Sequence, residues 1–119
     1  MVRRTLKSIP RSKPKNKLII RSKYYESLTE ILEYGIETFG KVVTRNFVIE
    51  IKSKIGLLLH FPDANPKCRF IDSTENKTFR NIILKSHYII YSVKNTEITV
   101  IDIIHQSVSP ENMKKRTEN

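Results

Sequence analysis

The apolar positions of this chain change period near its midpoint. In the first half they recur at helical spacing; from residue 79 onward they come in short runs of strand length. Tyr24, Leu28, Ile31, Leu32, Ile36 and Phe39 step by 4, 3, 1, 4 and 3. That spacing sets them on one stripe of a helix over 24–39, with Glu26, Glu30, Glu33 and Glu37 on the other side. Val43, Phe47, Ile51, Ile55, Leu58 and Leu59 repeat the stripe over 41–59, with Val48 beside it and Lys41, Arg45, Glu50, Lys52 and Lys54 outward. Gly40 separates the two patterns and suits a left-handed helix C-cap. So short a link makes the helices an antiparallel hairpin. Ser22 stands where an N-cap is wanted, though Glu26 is one position late for a capping box. Gly56 loosens the last turn of the second helix, and Pro62 closes it.

Residues 79–84, 87–93 and 97–104 are rich in Ile, Val, Tyr and Phe, which fit a pleated surface. They predict three consecutive antiparallel strands. Lys85-Ser86 is short enough for a tight turn. Lys94-Asn95-Thr96 makes a hairpin loop in which Asn95 tolerates positive φ. The apolar run in 17–22, KLIIRS, predicts an opening strand. FPDANP at 61–66 is a turn-rich loop, 67–71 a short irregular strand, and DSTENK at 72–77 an exposed loop. The sheet must bury one face, and the helical hairpin is the cover that the pattern offers. The expected fold is α+β: an N-terminal strand, then an antiparallel two-helix hairpin packed on a three- to four-stranded, mainly antiparallel sheet. Residues 17–110 form the domain, 1–16 a flexible basic arm, and 111–119 a polar C-terminal tail, frayed or weakly helical.

Composition narrows the class. The 119 residues suit one domain. A single cysteine, Cys68, rules out an internal disulfide framework and a cysteine-rich zinc site. No apolar run approaches the roughly 18 residues that span a bilayer, and the charged N-terminus lacks the apolar stretch of a secretory signal. A reducing cytoplasm is the expected location. Three histidines without close ligand spacing make no metal site, and no cofactor is expected. The formal net charge is +10, but nine of the 22 cations and none of the 12 acids fall in residues 1–23. The remainder is almost neutral, so the high pI describes the arm rather than the folded body. Such an arm attracts phosphate or an acidic partner, or simply aids solubility.

The order of elements and four stretches of sequence carry a resemblance. LIIRSKYYESLTEIL opens the domain, KIGLLLHFPDANP ends the helical hairpin, and FRNIILKSHYIIYSV and ITVIDIIHQSVSP build the sheet. Together they resemble the RelE/ParE superfamily of bacterial toxins from type II toxin–antitoxin modules, over about residues 17–110. The resemblance implies a small growth inhibitor neutralised by a cognate antitoxin protein. One branch of that superfamily cleaves messenger RNA on the ribosome. Another poisons DNA gyrase and is not a nuclease. The expectation taken forward is ribosome-dependent cleavage, with gyrase inhibition as the alternative, and a decayed or regulatory member that only binds its antitoxin as a third reading.

Cleavage beside a 2′-hydroxyl needs a base, an acid and cations around the phosphate. The resemblance implies Arg80, Lys85, Tyr88 and His105 as the catalytic candidates, with Tyr91 also considered. Arg80 suits a bidentate phosphate clamp, and His105 an acid or base near neutrality. Each has a structural rival. Arg80 equally fits a solvated strand face. Tyr88 and Tyr91 lie three apart and so face opposite sides, Tyr91 being the core member. His105 shares the parity of Ile101 and Ile103 and fits a hydrogen-bonded structural role. His60 and His87 sit at element ends as structural residues. One departure counts against cleavage: the loop after the last strand, Gln106-Ser107-Val108-Ser109-Pro110, holds no cation. The next are Lys114, Lys115 and Arg116, which reach the sheet only if the tail folds back over it.

Overall fold

The computed structural model describes residues 16–117. The expected arm, up to residue 15, lies outside the described residues. The chain begins with β1 (Lys17–Ile20), α1 (Ser22–Phe39) and α2 (Lys41–Leu57). After a long loop follow β2 (Thr78–Ile83), β3 (His87–Lys94) and β4 (Glu97–His105), then α3 (Pro110–Thr117). The four strands form one sheet in the order β1-β4-β3-β2. The β2–β3 and β3–β4 pairs are antiparallel hairpins, whereas β1 lies parallel to β4 because the whole hairpin and β2–β3 intervene. Asn95 adopts φ 54° in the β3–β4 turn, as its short polar side chain permits. The α+β architecture expected from the pattern is the one observed.

Gly40 serves both helices. It takes φ 88° and ψ 170°, an extended left-sided conformation, and its N–H closes α1 on the Ile36 carbonyl. Its carbonyl then accepts from the Thr44 N–H and Oγ1 to start α2. Ser22 is the first helical residue of α1 rather than its cap: Arg21 holds the cap position, with no side-chain hydrogen bond to the helix. The helices pass close at Gly35, where an added Cβ would stand 3.0 Å from Thr44 Oγ1.

The hairpin covers one face of the sheet. Tyr24 of α1, Ile51 and Ile55 of α2, and Leu58 just past its end pack on Ile82, Ile89, Tyr91, Ile98, Val100 and Ile103. The far ends of both stripes find no sheet beneath them, so Ile36, Phe39 and Val43 stay exposed.

The expectation of one buried face is corrected by a second core on the other side. Ile90, Ile101 and Ile104 are buried there under Cys68, Met113, Phe70, Ile71 and Val108. The cover comes from two sources. Residues 66–68 bond to the outer edge of β2, through Cys68 N–H to the Phe79 carbonyl and Asn81 N–H to the Pro66 carbonyl, and the chain then turns beneath the sheet. The polar stretch after residue 109 supplies α3, which seats Met113 at 1% exposure.

Candidate functional site

A bulge in β4 decides where several side chains point. Ile90 pairs with Asp102 and Tyr91 with Val100, leaving Ile101 as the extra residue. Side chains alternate along a strand, and a bulge resets that alternation. Val100 and Ile103 therefore both face the hairpin, while Ile101 and Ile104 face the second core. The parity argument linking His105 to Ile101 fails for this reason: His105 follows Ile103 onto the helix side. Tyr88 and Tyr91 do lie on opposite faces, Tyr91 in the hairpin core and Tyr88 against Phe70 in the second.

Arg80 lies on β2 opposite Tyr91. Its Nη1 donates to the Asn65 carbonyl at 2.6 Å, and its Nε, 3.7 Å from Asp63 Oδ1, has no hydrogen bond. Tyr91 works on the same loop: its hydroxyl donates to the Pro62 carbonyl at 2.7 Å and accepts from Asn65 Nδ2 at 3.2 Å. Burial raises the Tyr91 phenol above its ordinary value, against the lowering effects of Asn65 and the Arg80 charge. Together the two side chains moor residues 62–66 to the sheet, and the guanidinium is engaged there rather than open to solvent.

His105 sits directly across from His87, their rings 5.0 Å apart and edge-on, and His87 also touches Phe47 of α2. The Ser107 N–H donates to His105 Nδ1 at 3.0 Å, so Nδ1 is the acceptor and Nε2 carries the proton. Burial lowers the His87 pKa below 6.5, and the neighbouring His105 lowers it further. Lys85 is exposed in the β2–β3 turn, whose Ser86 carbonyl accepts from the Gln106 N–H. Lys85, His87 and His105 therefore share one end of the sheet. Arg80 does not join them. Its partner Tyr91 lies four residues from His87, about 13 Å along the strand at about 3.3 Å per residue. Tyr88 is on the other face. Among the described residues no group of three His, Cys, Asp or Glu side chains is placed to hold a metal ion, and no helix is long and apolar enough to cross a membrane.

One buried charge lies outside the set of candidates that the sequence offers. Asp102, in the apolar run Val100-Ile101-Asp102-Ile103-Ile104, is completely buried. Arg116 of α3 reaches back to it, Nε to Oδ2 at 3.1 Å, while its Nη2 donates to Ser27 Oγ of α1 at 2.9 Å. The other carboxylate oxygen accepts from the Ile103 N–H at 2.8 Å. The contact is possible because β1 pairs with β4 only as far as Val100. Beyond that point α1 lies against β4 in place of a strand. A lone acid inside a run of isoleucines was the available signal, since a carboxylate there must find a cation.

A second feature is an apolar groove of about 280 Å³ between β1 and the helical hairpin. Leu18 and Ile20 form one wall, Tyr24, Tyr25 and Leu28 another, and Val48, Ile51 and Ile55 the third.

An opening parallel strand, a helical hairpin linked through one glycine, and a three-stranded antiparallel meander define a small toxin domain of the RelE/ParE type. The sequence profile of one family, described as the ParE toxin of the type II toxin–antitoxin system parDE, matches residues 18–110. The chain belongs to that family. A solved structure described as a chromosomal ParDE toxin–antitoxin system from P. aeruginosa shares the fold, with a TM-score of 0.62 at 16% identity over 76% of this chain and 96% of that chain. A comparison with curated proteins yields no match.

Proposed function

We propose that this chain is a growth-inhibiting toxin that acts on DNA gyrase, without nuclease chemistry, and is silenced by a cognate antitoxin. The observation that carries the choice of target is the scatter of the cleavage candidates. Arg80 is tied into the loop at 62–66, Tyr88 packs in the second core, and His105 stands at the far end of the sheet. A nuclease must bring its acid, base and phosphate clamp within hydrogen-bond reach of one phosphate. Of the C-terminal cations that follow the last strand, Arg116 is engaged by a buried carboxylate. An inhibitor that works by binding needs no such convergence. Membership in the ParE rather than the RNA-cleaving branch points the same way.

The antitoxin segment that fits is an amphipathic one laid in the groove between β1 and the hairpin, covering Leu18, Ile20, Tyr25 and Val48. Expression without antitoxin, followed by parallel thymidine and methionine incorporation, tests the target. Thymidine uptake should fall first, and purified protein should block gyrase supercoiling in vitro. Early loss of methionine uptake with supercoiling intact would return the function to the ribosome.

A further inference from the structure

Of the ten large apolar side chains that stay exposed among the described residues, five fall within residues 34–43, the tip of the helical hairpin. Tyr34, Ile36 and Phe39 belong to the last turns of α1, Val42 and Val43 to the first turn of α2. The Tyr34 and Phe39 rings meet edge-on with centroids 6.3 Å apart, so they form one aromatic surface. The two residues are 64% and 61% exposed. At roughly 200 Å² per aromatic side chain they present roughly 250 Å². The three aliphatic side chains bring the patch to roughly 400 Å², the size at which an apolar patch on a monomer is often functional. None of the five lines the groove between β1 and the hairpin. The charges beside the patch are set against the helices that carry them. Glu33 and Glu37 stand on α1, Lys41 and Arg45 on α2; all four are exposed, and none forms an ion pair among the described residues. A helix C-terminus favours cations and an N-terminus anions. Yet α1 has no base in its last turn and holds Glu37 there, while α2 has no acid in its first turn and begins with Lys41.

We propose that the hairpin tip docks a second copy of this chain, related by a two-fold axis, with the α1 end of each copy on the α2 end of the other. A two-fold contact uses the same surface on both copies, so every pairing occurs twice. The apolar patches cover each other, and Glu33 and Glu37 of each copy lie beside Lys41 and Arg45 of the other. Each helix end then receives the sign that it lacks. Placing α1 on α1 instead would set acid against acid and base against base, which is unfavourable. The same charges favour a second copy over a partner of one sign: a basic partner answers only the α1 side of the tip, and an acidic partner only the α2 side. Two patches of roughly 400 Å² with their charged rims bury roughly 1,000 Å² in all, the lower bound of a specific interface. The dimer is therefore a weak one, in the micromolar range, and it is independent of the choice between gyrase and ribosome.

The test is sedimentation equilibrium of the full chain from about 5 to about 500 μM, a range that brackets the expected Kd of about 10–100 μM. Tyr34→Ser and Phe39→Ser, both at exposed positions, should each weaken the dimer about tenfold or more without lowering the melting temperature. Glu37→Lys and Lys41→Glu should each weaken it about fivefold or more. Their melting temperatures should stay level or rise, because the new sign suits the helix end, so loss of fold cannot imitate loss of contact. Mixing those two variants should restore association as a heterodimer, and combining both substitutions in one chain should restore the homodimer. The proposal is overturned if the parent stays monomeric to the top of the range, or if Tyr34→Ser and Phe39→Ser dimerise like the parent, which would put the contact elsewhere. It is equally overturned if the charge variants fail to restore association on mixing. A monomeric parent whose block of gyrase supercoiling is lost in Phe39→Ser would give the tip to gyrase and overturn the second copy as its occupant.

Discussion

Replacing Arg116 by Met removes the cation that Asp102 depends on while keeping a long apolar stem for packing. The carboxylate is fully buried, and the Arg116 side chain is 32% exposed. Without the guanidinium, Asp102 keeps one hydrogen bond, from the Ile103 N–H. Removing one partner of a buried pair costs about 3–5 kcal/mol because the other charge stays buried. Arg116 is partly solvated, which screens the pair and argues for the lower part of that range or below, about 2–3 kcal/mol. For a domain of this size the melting temperature should drop by roughly 8–12 °C. Urea melts of Arg116→Met, Asp102→Leu and the double variant close the cycle. The double variant should recover most of the loss, within about 1 kcal/mol of the parent, since a well-packed apolar pair replaces a buried ion pair at little cost. If Arg116→Met loses less than about 0.5 kcal/mol, or the two single losses simply add, the pair does not hold α3 against the sheet and the reasoning fails.

Two further outcomes follow from the same geometry. A methyl group at Gly35 meets Thr44 Oγ1, which cannot turn away without leaving the Gly40 carbonyl. Gly35→Ala should therefore destabilise the parent but stabilise the Thr44→Ala background, by up to about 1 kcal/mol from helix propensity; the same sign in both backgrounds, read from denaturant melts, would refute the contact. The His87 pKa is held below its ordinary 6.5 by burial first and by His105 second. The unfolded chain thus binds this proton more readily than the folded one, so the contribution is fully present above pH 6.5 and is lost as the pH falls toward the folded value. Stability measured from pH 7.5 down to 5 should decline, and His87→Gln should flatten that decline; an unchanged slope would place its origin elsewhere.

How legible the fold was depended on whether a signal was local. The helical stripes, Gly40 and the Asn95 turn each announce themselves within a few residues, and all three are found where the spacing put them. The second core was legible too, but was read as the signature of strands in general. Tyr88-Ile89-Ile90-Tyr91 and Val100-Ile101-Asp102-Ile103-Ile104 do not alternate apolar with polar, and near-continuous apolar strands belong to sheets covered on both sides. Taking that seriously requires a second cover, and the only unassigned material after the sheet is the polar stretch from 106. Its single buried anchor, Met113, is one residue among charged ones, too little to show a periodicity.

The candidate site failed to assemble for a related reason. Arg80, Tyr88 and His105 were chosen by residue type, and residue type does not carry register. Arg80 and Tyr91 are ordinary alternating positions until the loop at 62–66 returns to meet them, and the return path of a loop is not written in the strand it meets. The β4 bulge is harder still. One extra residue at Ile101 reverses the facing of everything after it, sending His105 to the helix side and Asp102 toward α3. The bulge has no glycine to mark it. What fixes it is the pair it creates: a buried carboxylate must meet a cation, and with the bulge Asp102 meets Arg116, whose other end is held by Ser27. Register, the placement of α3 and the fate of the C-terminal cations are therefore one choice, made by Asp102.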